Sequence, residues 1–328
     1  LETILAQLSA SPIQEIFDDT LSERQVRLFM KRDDLLRLPN MPPSVQELSG
    51  NKIRKLKYNL LEMQSLGLNK LITFGGAFSN HIHAVAAAGK TFHIETIGII
   101  RGDRFDSKNA TLAFAESCGM RLYFMNRTDF RDADKRAAFI KPFSPDAYIL
   151  PEGGTNHWAL TGSSEIVVEA NQYFDAASFY SNSVKSYFAV AAGTGGTMAG
   201  MITALQPQQH LIGFSVLKGD FLRRDVTDLI ENRLWQEQTS PQNWTLLTDY
   251  SFGGYAKWTP ELIDFINGFK RKYQIALDPI YTGKMMFGLF DLIKKGSFPP
   301  HARIIAVHTG GLQGIKGFNQ RFGDLIEV

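Results

Sequence analysis

The chain has 328 residues, 44% of them apolar, enough to build the buried cores of about two domains. Thirty-five Lys and Arg against 33 Asp and Glu leave a formal charge of +2, which excludes the global positive excess of a nucleic-acid or anionic-membrane binder and makes any anion site a local feature. The single cysteine, Cys118, excludes an internal disulfide and a thiolate-held zinc and fits a reducing, cytoplasmic setting; the first residues also lack the basic and apolar segments of a signal peptide.

From Gly50 onward, helical periodicity alternates with short β-branched runs, the pattern of an α/β fold with largely parallel sheets flanked by helices. Residues 54–66 read as a helix, because Leu56, Leu60, Leu61 and Met63 fall close to helical spacing, and 71–74 as a strand. A glycine turn at 75–80 leads into an alanine-rich helix to about Lys90, capped by Ser79 or Asn80. The cycle continues with a strand at 96–100, a helix at 107–117, a strand at 121–124, a helix at 129–140 and a short strand at 148–150.

Residues 151–156 break this rhythm as a crossing between domains, followed by a helix over 157–174. Beyond it, strands at 187–191, 211–216, 244–247 and 303–307 accompany helices at 196–205, 219–237, 259–273 and 285–295. The uncharged stretch 187–205 invites a membrane reading, but its glycine-rich centre reads better as strand, loop and helix start. This organisation divides the chain into a smaller α/β domain at 53–152 and a larger one made of 1–52 plus 153–328.

Gly193, Thr194, Gly195, Gly196 and Thr197 lie between an apolar strand and a helix start, where unpaired backbone N–H groups favour an anion such as a phosphate. The spacing departs from G-x-G-x-x-G, since Met198 takes the third glycine's place, and no Gly-Lys-Ser/Thr ending follows, which demotes dinucleotides and ATP. A tight β-α turn that needs glycine only for its backbone accounts for the same residues. Further small-residue turns at 49–52, 75–80, 153–154 and 309–311 favour a phosphorylated cofactor, because open α/β sheets collect ligands at such strand ends. Lys52 belongs to a basic stretch, 52–57, that charge alone reads as a solvated helix face; set at a partly desolvated helix start, it would also have the lowered pKa that Schiff-base chemistry needs.

Four blocks in order, Gly50-Asn-Lys-Ile-Arg-Lys-Leu56, Gly75-Gly-Ala-Phe-Ser-Asn-His81, Gly193-Thr-Gly-Gly-Thr-Met-Ala-Gly200 and Asp278-Pro-Ile-Tyr-Thr-Gly-Lys284, resemble the pyridoxal-phosphate family of 1-aminocyclopropane-1-carboxylate (ACC) deaminase and D-cysteine desulfhydrase. That resemblance implies the tryptophan-synthase-β-like fold, fold type II, and pyridoxal 5'-phosphate as cofactor. Lys52 would carry the cofactor as a Schiff base, Lys55 would approach its phosphate, and residues 193–197 would cradle that phosphate. Asn80 would bond the cofactor's phenolic oxygen, and Thr309 would sit near its pyridine nitrogen. Ser79 would meet the substrate carboxylate, with Phe78, His81, Tyr281 and Thr282 on the substrate side and Tyr255 as a second active-site tyrosine. For either tyrosine, a core aromatic with a satisfied hydroxyl is the plain alternative. His81 and His83 are not spaced as a zinc pair, and no metal is expected.

Within that family, ACC deaminases place Glu and Leu where D-cysteine desulfhydrases place two threonines; this chain has Thr282 and Thr309. A carboxylate beside the ring nitrogen deepens the electron sink, whereas expelling a good leaving group such as sulfide needs less of it. The resemblance therefore implies α,β-elimination on a small D-amino acid, D-cysteine foremost, giving pyruvate, ammonia and hydrogen sulfide in a homodimeric enzyme. Phe78 stands in place of the family's glutamine and His83 in place of its arginine, which keeps ACC or another β-substituted amino acid as an alternative substrate. A non-catalytic protein that binds the cofactor or an amino acid is the alternative from a different class.

Overall fold

The strands sort into two separate sheets in a computed structural model that describes residues 1–39, 48–102, 110–176, 184–233 and 242–327. The chain opens with α1 (Glu2–Leu5), β1 (Ile13–Ile16), α2 (Asp19–Glu23) and β2 (Arg27–Lys31). Next come α3 (Asn51–Ser65), β3 (Lys70–Gly76), α4 (Asn80–Phe92), β4 (Glu95–Arg101), α5 (Ala110–Ser117), β5 (Arg121–Met125), α6 (Ala133–Ile140) and β6 (Tyr148–Leu150). The remainder is α7 (His157–Ala176), β7 (Ser186–Ala192), α8 (Gly196–Ile202), β8 (Gln209–Ser215), α9 (Phe221–Arg233), β9 (Trp244–Leu247), α10 (Pro260–Tyr273), α11 (Thr282–Lys294), β10 (Arg303–Val307) and α12 (Gly314–Phe322).

The smaller sheet runs β5-β4-β3-β6, all parallel. The larger runs β1-β2-β10-β7-β8-β9 and is parallel except for the antiparallel edge strand β1. Each sheet is covered on both faces, and the inner strands β7 and β10 are buried almost end to end. In β7 the alternation shows which face each residue serves: Phe188, Val190 and Ala192 join the core under α7, α8 and α9, while Ala189 and Ala191 join the core under α10 and α11.

Most elements lie where the sequence places them, and the departures have local causes. The helix expected at 129–140 splits into a 3-10 turn, Asp129–Arg131, and α6, because the Asp132 carboxylate accepts from the amides of Asp134 and Lys135 and starts a new helix there. The helix expected from 285 starts at Thr282, and the one expected to reach 205 ends at Ile202. Residues 107–109 and 234–237 of two expected helices lie outside the described residues. Residues 187–205 form β7, the glycine loop and α8; no helix among the described residues is long and apolar enough to cross a membrane.

Two features fix α3, which carries Lys52 and Lys55. A Cβ on Gly162 of α7 would lie 1.9 Å from the Arg54 carbonyl oxygen, so only glycine allows the two helices to cross this closely. Beside that crossing the Arg54 guanidinium, 1% exposed, donates to both Asp33 oxygens at 2.8 and 2.9 Å and to both Glu169 oxygens at 2.6 and 2.8 Å. Lys31 donates to Glu169 at 2.5 Å and to the Ser11 carbonyl at 2.7 Å. Two cations thus meet two carboxylates, and the pairing holds Asp33 and Glu169 below the ordinary carboxylate range despite burial that acts the other way.

Candidate active site

Helix α3 begins against the turn that follows β10. Gly50 has φ 73°, and a Cβ there would stand 2.8 Å from the Thr309 carbonyl oxygen; the Asn51 amide donates to that same oxygen at 3.2 Å. Lys52 is therefore delivered to the carboxyl end of the larger sheet, half-buried, with Nζ donating to Asn51 Oδ1 at 2.9 Å. Burial lowers its ammonium to about 8, an effect that the nearby Asp278 carboxylate only partly opposes.

One turn on, the Lys55 ammonium donates to the Gly153 carbonyl at 2.5 Å and to Thr155 Oγ1 at 3.1 Å. Burial, and then the charge of Lys52, depress Lys55 well below the usual lysine range. The glycine loop meets this lysine directly: a Cβ on Gly196 would be 2.8 Å from Thr155 Oγ1 and 3.0 Å from Lys55 Nζ. Thr155 Oγ1 lies 2.9 Å from Thr194 Oγ1, Asn51 Nδ2 donates to Thr197 Oγ1 at 3.0 Å, and Gly195 bends the loop with φ 78°. Lys52, Lys55 and residues 193–197 are thus brought together.

This cluster fits pyridoxal phosphate. Among the described residues neither Lys52 nor Lys55 makes an ion pair, so two buried amines that repel each other lie beside the first-turn amides of α8. An anionic phosphate supplies the charge the cluster lacks, the bare Gly196 lets Lys55 and Thr155 come close against the loop, and the lowered Lys52 amine suits a carbonyl partner.

Ser79 caps α4, its Oγ accepting from the His81 and Ile82 amides at 3.2 and 3.3 Å. With its lone pairs so engaged, its own proton is left to donate. Asn80 Oδ1 accepts from Gln313 Nε2 at 3.1 Å, and a Cβ on Gly311 would lie 2.8 Å from Asn80 Nδ2, so a glycine is required where α4 meets the turn before α12. Phe78 is exposed at the mouth of this turn. His81 is buried behind it: the Thr73 hydroxyl donates to the Leu150 carbonyl at 3.0 Å and therefore accepts the His81 Nε2 proton at 2.7 Å. Its Nδ1 has no partner among the described residues, and burial together with Lys55 and Lys52 keeps the ring neutral. His83 stacks on Phe114 at 3.9 Å between ring centroids, and burial lowers it to about 4.

Tyr281 packs against the glycine loop, where a Cβ on Gly193 would lie 3.1 Å from its ring. Tyr255 approaches it edge-on at 6.1 Å between centroids. Tyr255 is 40% exposed, but its hydroxyl is turned inward, and burial raises both hydroxyls above the ordinary tyrosine range. Thr282, expected on the substrate side, is fully buried instead, its hydroxyl donating to Asp278 Oδ1 at 2.7 Å and accepting from the Asp278 amide at 2.9 Å. Thr309 is half-buried and meets α3 through its carbonyl.

Asp278 is the residue the motif reading left without a role. Its carboxylate accepts from the amides of Ile280, Tyr281 and Thr282 at 2.8–2.9 Å and so starts α11 at the substrate-side tyrosine. The signal was present: an aspartate before proline bonds amides two and three residues on. Asn51, Gly153, Thr155 and Gln313 were also unassigned, because their partners lie far away in sequence.

The family model for pyridoxal-phosphate dependent enzymes matches residues 19–310. A Pyrococcus horikoshii protein provisionally named a 1-aminocyclopropane-1-carboxylate deaminase is 30% identical over 314 residues, 91% of this chain and 89% of its own. The D-cysteine desulfhydrase of Klebsiella pneumoniae is 29% identical over 307 residues, 89% of either chain. The crystal structure of an ACC deaminase homologue superposes with a TM-score of 0.79 at 28% identity, covering 99% of this chain and 98% of that one. A hydrogen sulfide-producing enzyme from Fusobacterium nucleatum shares the fold at a TM-score of 0.65 and 12% identity, over 94% of this chain and 98% of its own. With its lysine pair, glycine loop and two parallel sheets, the chain belongs to the pyridoxal-phosphate dependent enzymes, among the relatives of ACC deaminase and D-cysteine desulfhydrase.

Proposed function

We propose that the chain catalyses α,β-elimination on a small D-amino acid, with D-cysteine as substrate, consuming one water and releasing pyruvate, ammonia and hydrogen sulfide. Relatives bearing the two names are nearly equidistant, at 30% and 29% identity, so identity does not choose between the activities. The observation that carries the choice is the pair Thr282 and Thr309, where the family's ACC deaminases have Glu and Leu. Thr282, closed within the Asp278 network, puts no acid at that position.

When bound, pyridoxal phosphate supplies a carbonyl that captures an amine and a ring that accepts the electron pair left by the departing α-proton. Lys55 and the amides of residues 193–197 would hold its anionic end, and Asn80, oriented by Gln313, would face its phenolic oxygen. Thr309 would stand beside the ring nitrogen as a neutral partner. Lys52 would hold the cofactor's carbonyl end and would take the substrate's α-proton; an amine lowered to about 8 is free enough for this near neutral pH. The Ser79 hydroxyl donates to the substrate carboxylate. Tyr281, kept protonated by burial and by Tyr255 beside it, donates to the leaving sulfur. Phe78 lines the substrate side, and the neutral His81, buried behind it on Thr73, adds no charge there. We place this site in the seam between a smaller domain at 53–152 and a larger one at 1–52 and 153–328.

A side-by-side product assay on the cofactor-loaded protein tests the choice. Pyruvate from D-cysteine outpacing 2-oxobutyrate from ACC supports it. The reverse ranking makes the chain an ACC deaminase, and no product from either points to a protein that binds without turnover.

A further inference from the structure

Lys284 lies one turn beyond Tyr281 on α11 and is fully buried, like few lysines in any protein. Its ammonium donates to two backbone carbonyls, those of Ser251 and Gly254, each at 2.8 Å. Burial lowers it to about 8, level with Lys52, yet with two carbonyl partners and no open side it is not a second carrier of cofactor.

The segment it grips is contorted. Phe252, Gly253, Gly254 and Ala256 all have positive φ, at 53, 88, 121 and 55°, so the backbone there runs through a conformation that side chains rarely adopt. Within the segment the Gly254 amide reaches the Ser251 carbonyl at 3.0 Å, and the Lys257 amide reaches the Gly254 carbonyl at 3.2 Å. Both of those carbonyls are the ones that Lys284 also takes. Tyr255 sits between the strained residues, edge-on to Tyr281. One helix therefore supplies Tyr281 from its N-terminus and, one turn later, the cation that sets the loop bearing the other tyrosine.

We infer that Lys284 is a positioning residue: its two bonds to the Ser251 and Gly254 carbonyls hold Tyr255 edge-on against Tyr281. The inference rests on the proposed role of the two tyrosines, and it adds the residue that keeps them in register.

The test is a double-mutant cycle on the cofactor-loaded enzyme with Lys284→Met, Tyr255→Phe and the combination, assayed on D-cysteine, or on ACC where that is the faster substrate. Displacing a reacting group by about 1 Å costs up to roughly 100-fold, so Lys284→Met is expected to lower kcat by about 10- to 100-fold while the visible absorbance of bound cofactor stays. The combined variant should be no slower than the slower single one, since both changes act through one hydroxyl. Lys284→Gln keeps two N–H donors, should recover part of kcat, and serves in the same cycle if the Met variant fails to fold. Wild-type kcat in Lys284→Met beside an impaired Tyr255→Phe overturns this inference alone, as do losses that multiply in the combined variant. Wild-type kcat in Tyr255→Phe overturns the tyrosine's role and this inference with it.

Discussion

The side-chain amide of Asn51 donates to Thr197 Oγ1 over 3.0 Å, so the residue beside Lys52 is fastened to the far end of the glycine loop. Asn51 Oδ1 in turn accepts from Lys52 Nζ at 2.9 Å, making one side chain the bridge between the reactive amine and the phosphate cradle. Asn51→Ala breaks both contacts. Each is worth about 1 kcal/mol, so cofactor affinity should fall by roughly 5- to 30-fold in an absorbance titration. An unchanged affinity removes Asn51 from this bridge.

The depressed Lys52 amine makes a pH prediction of definite sign. Below its pKa of about 8 the group is an ammonium and cannot attack a carbonyl, so covalent capture of pyridoxal phosphate should speed up as the pH rises and level off above that value. Borohydride reduction of the loaded protein followed by mass spectrometry should place the cofactor on Lys52 and find none on Lys52→Ala. A rate still climbing towards pH 10 would give Lys52 an ordinary lysine's environment.

Arg54 serves stability through the group of four charges that anchors α3. Arg54→Met leaves the buried Asp33 and the part-buried Glu169 short of a partner and should cost about 3–5 kcal/mol in denaturant unfolding. The pH dependence follows from the same carboxylates, whose folded pKa values lie below their ordinary values of 3.8 and 4.5. Their contribution is present above those values and is lost as the pH falls through the folded ones. Wild-type stability should therefore drop in acid, and the variant's curve should be flatter over the same range. Equal slopes would contradict this account.

The residues legible in the sequence were those whose meaning is local. Ser79 reads as a helix cap from its neighbours alone, and Gly195 as a turn residue from the strand and helix on either side. From its local chemistry Lys52 stands out only by the glycine turn before it, since its neighbours suggest a solvated face; the family resemblance singles it out, and burial of its amine agrees. The partners of Lys55 at Gly153 and Thr155 come from another part of the chain, so no spacing rule reaches them. Thr282 shows the opposite error: a hydroxyl in a recognisable block was read outward, while Asp278 four residues earlier claims it inward. Strand β2 escaped notice because Leu28, Phe29 and Met30 are buried on both faces and show no alternation. Helix α12 is masked by Gly314 and Gly317 in a run that reads as loop.

The most direct measurement follows pyruvate and sulfide together from D-cysteine and from L-cysteine, with the pyridoxal-phosphate-loaded protein and with Lys52→Ala as control. The account predicts equimolar release of both products, selective for the D-enantiomer and absent in the variant. Release that ignores chirality, or that survives without Lys52, would contradict it.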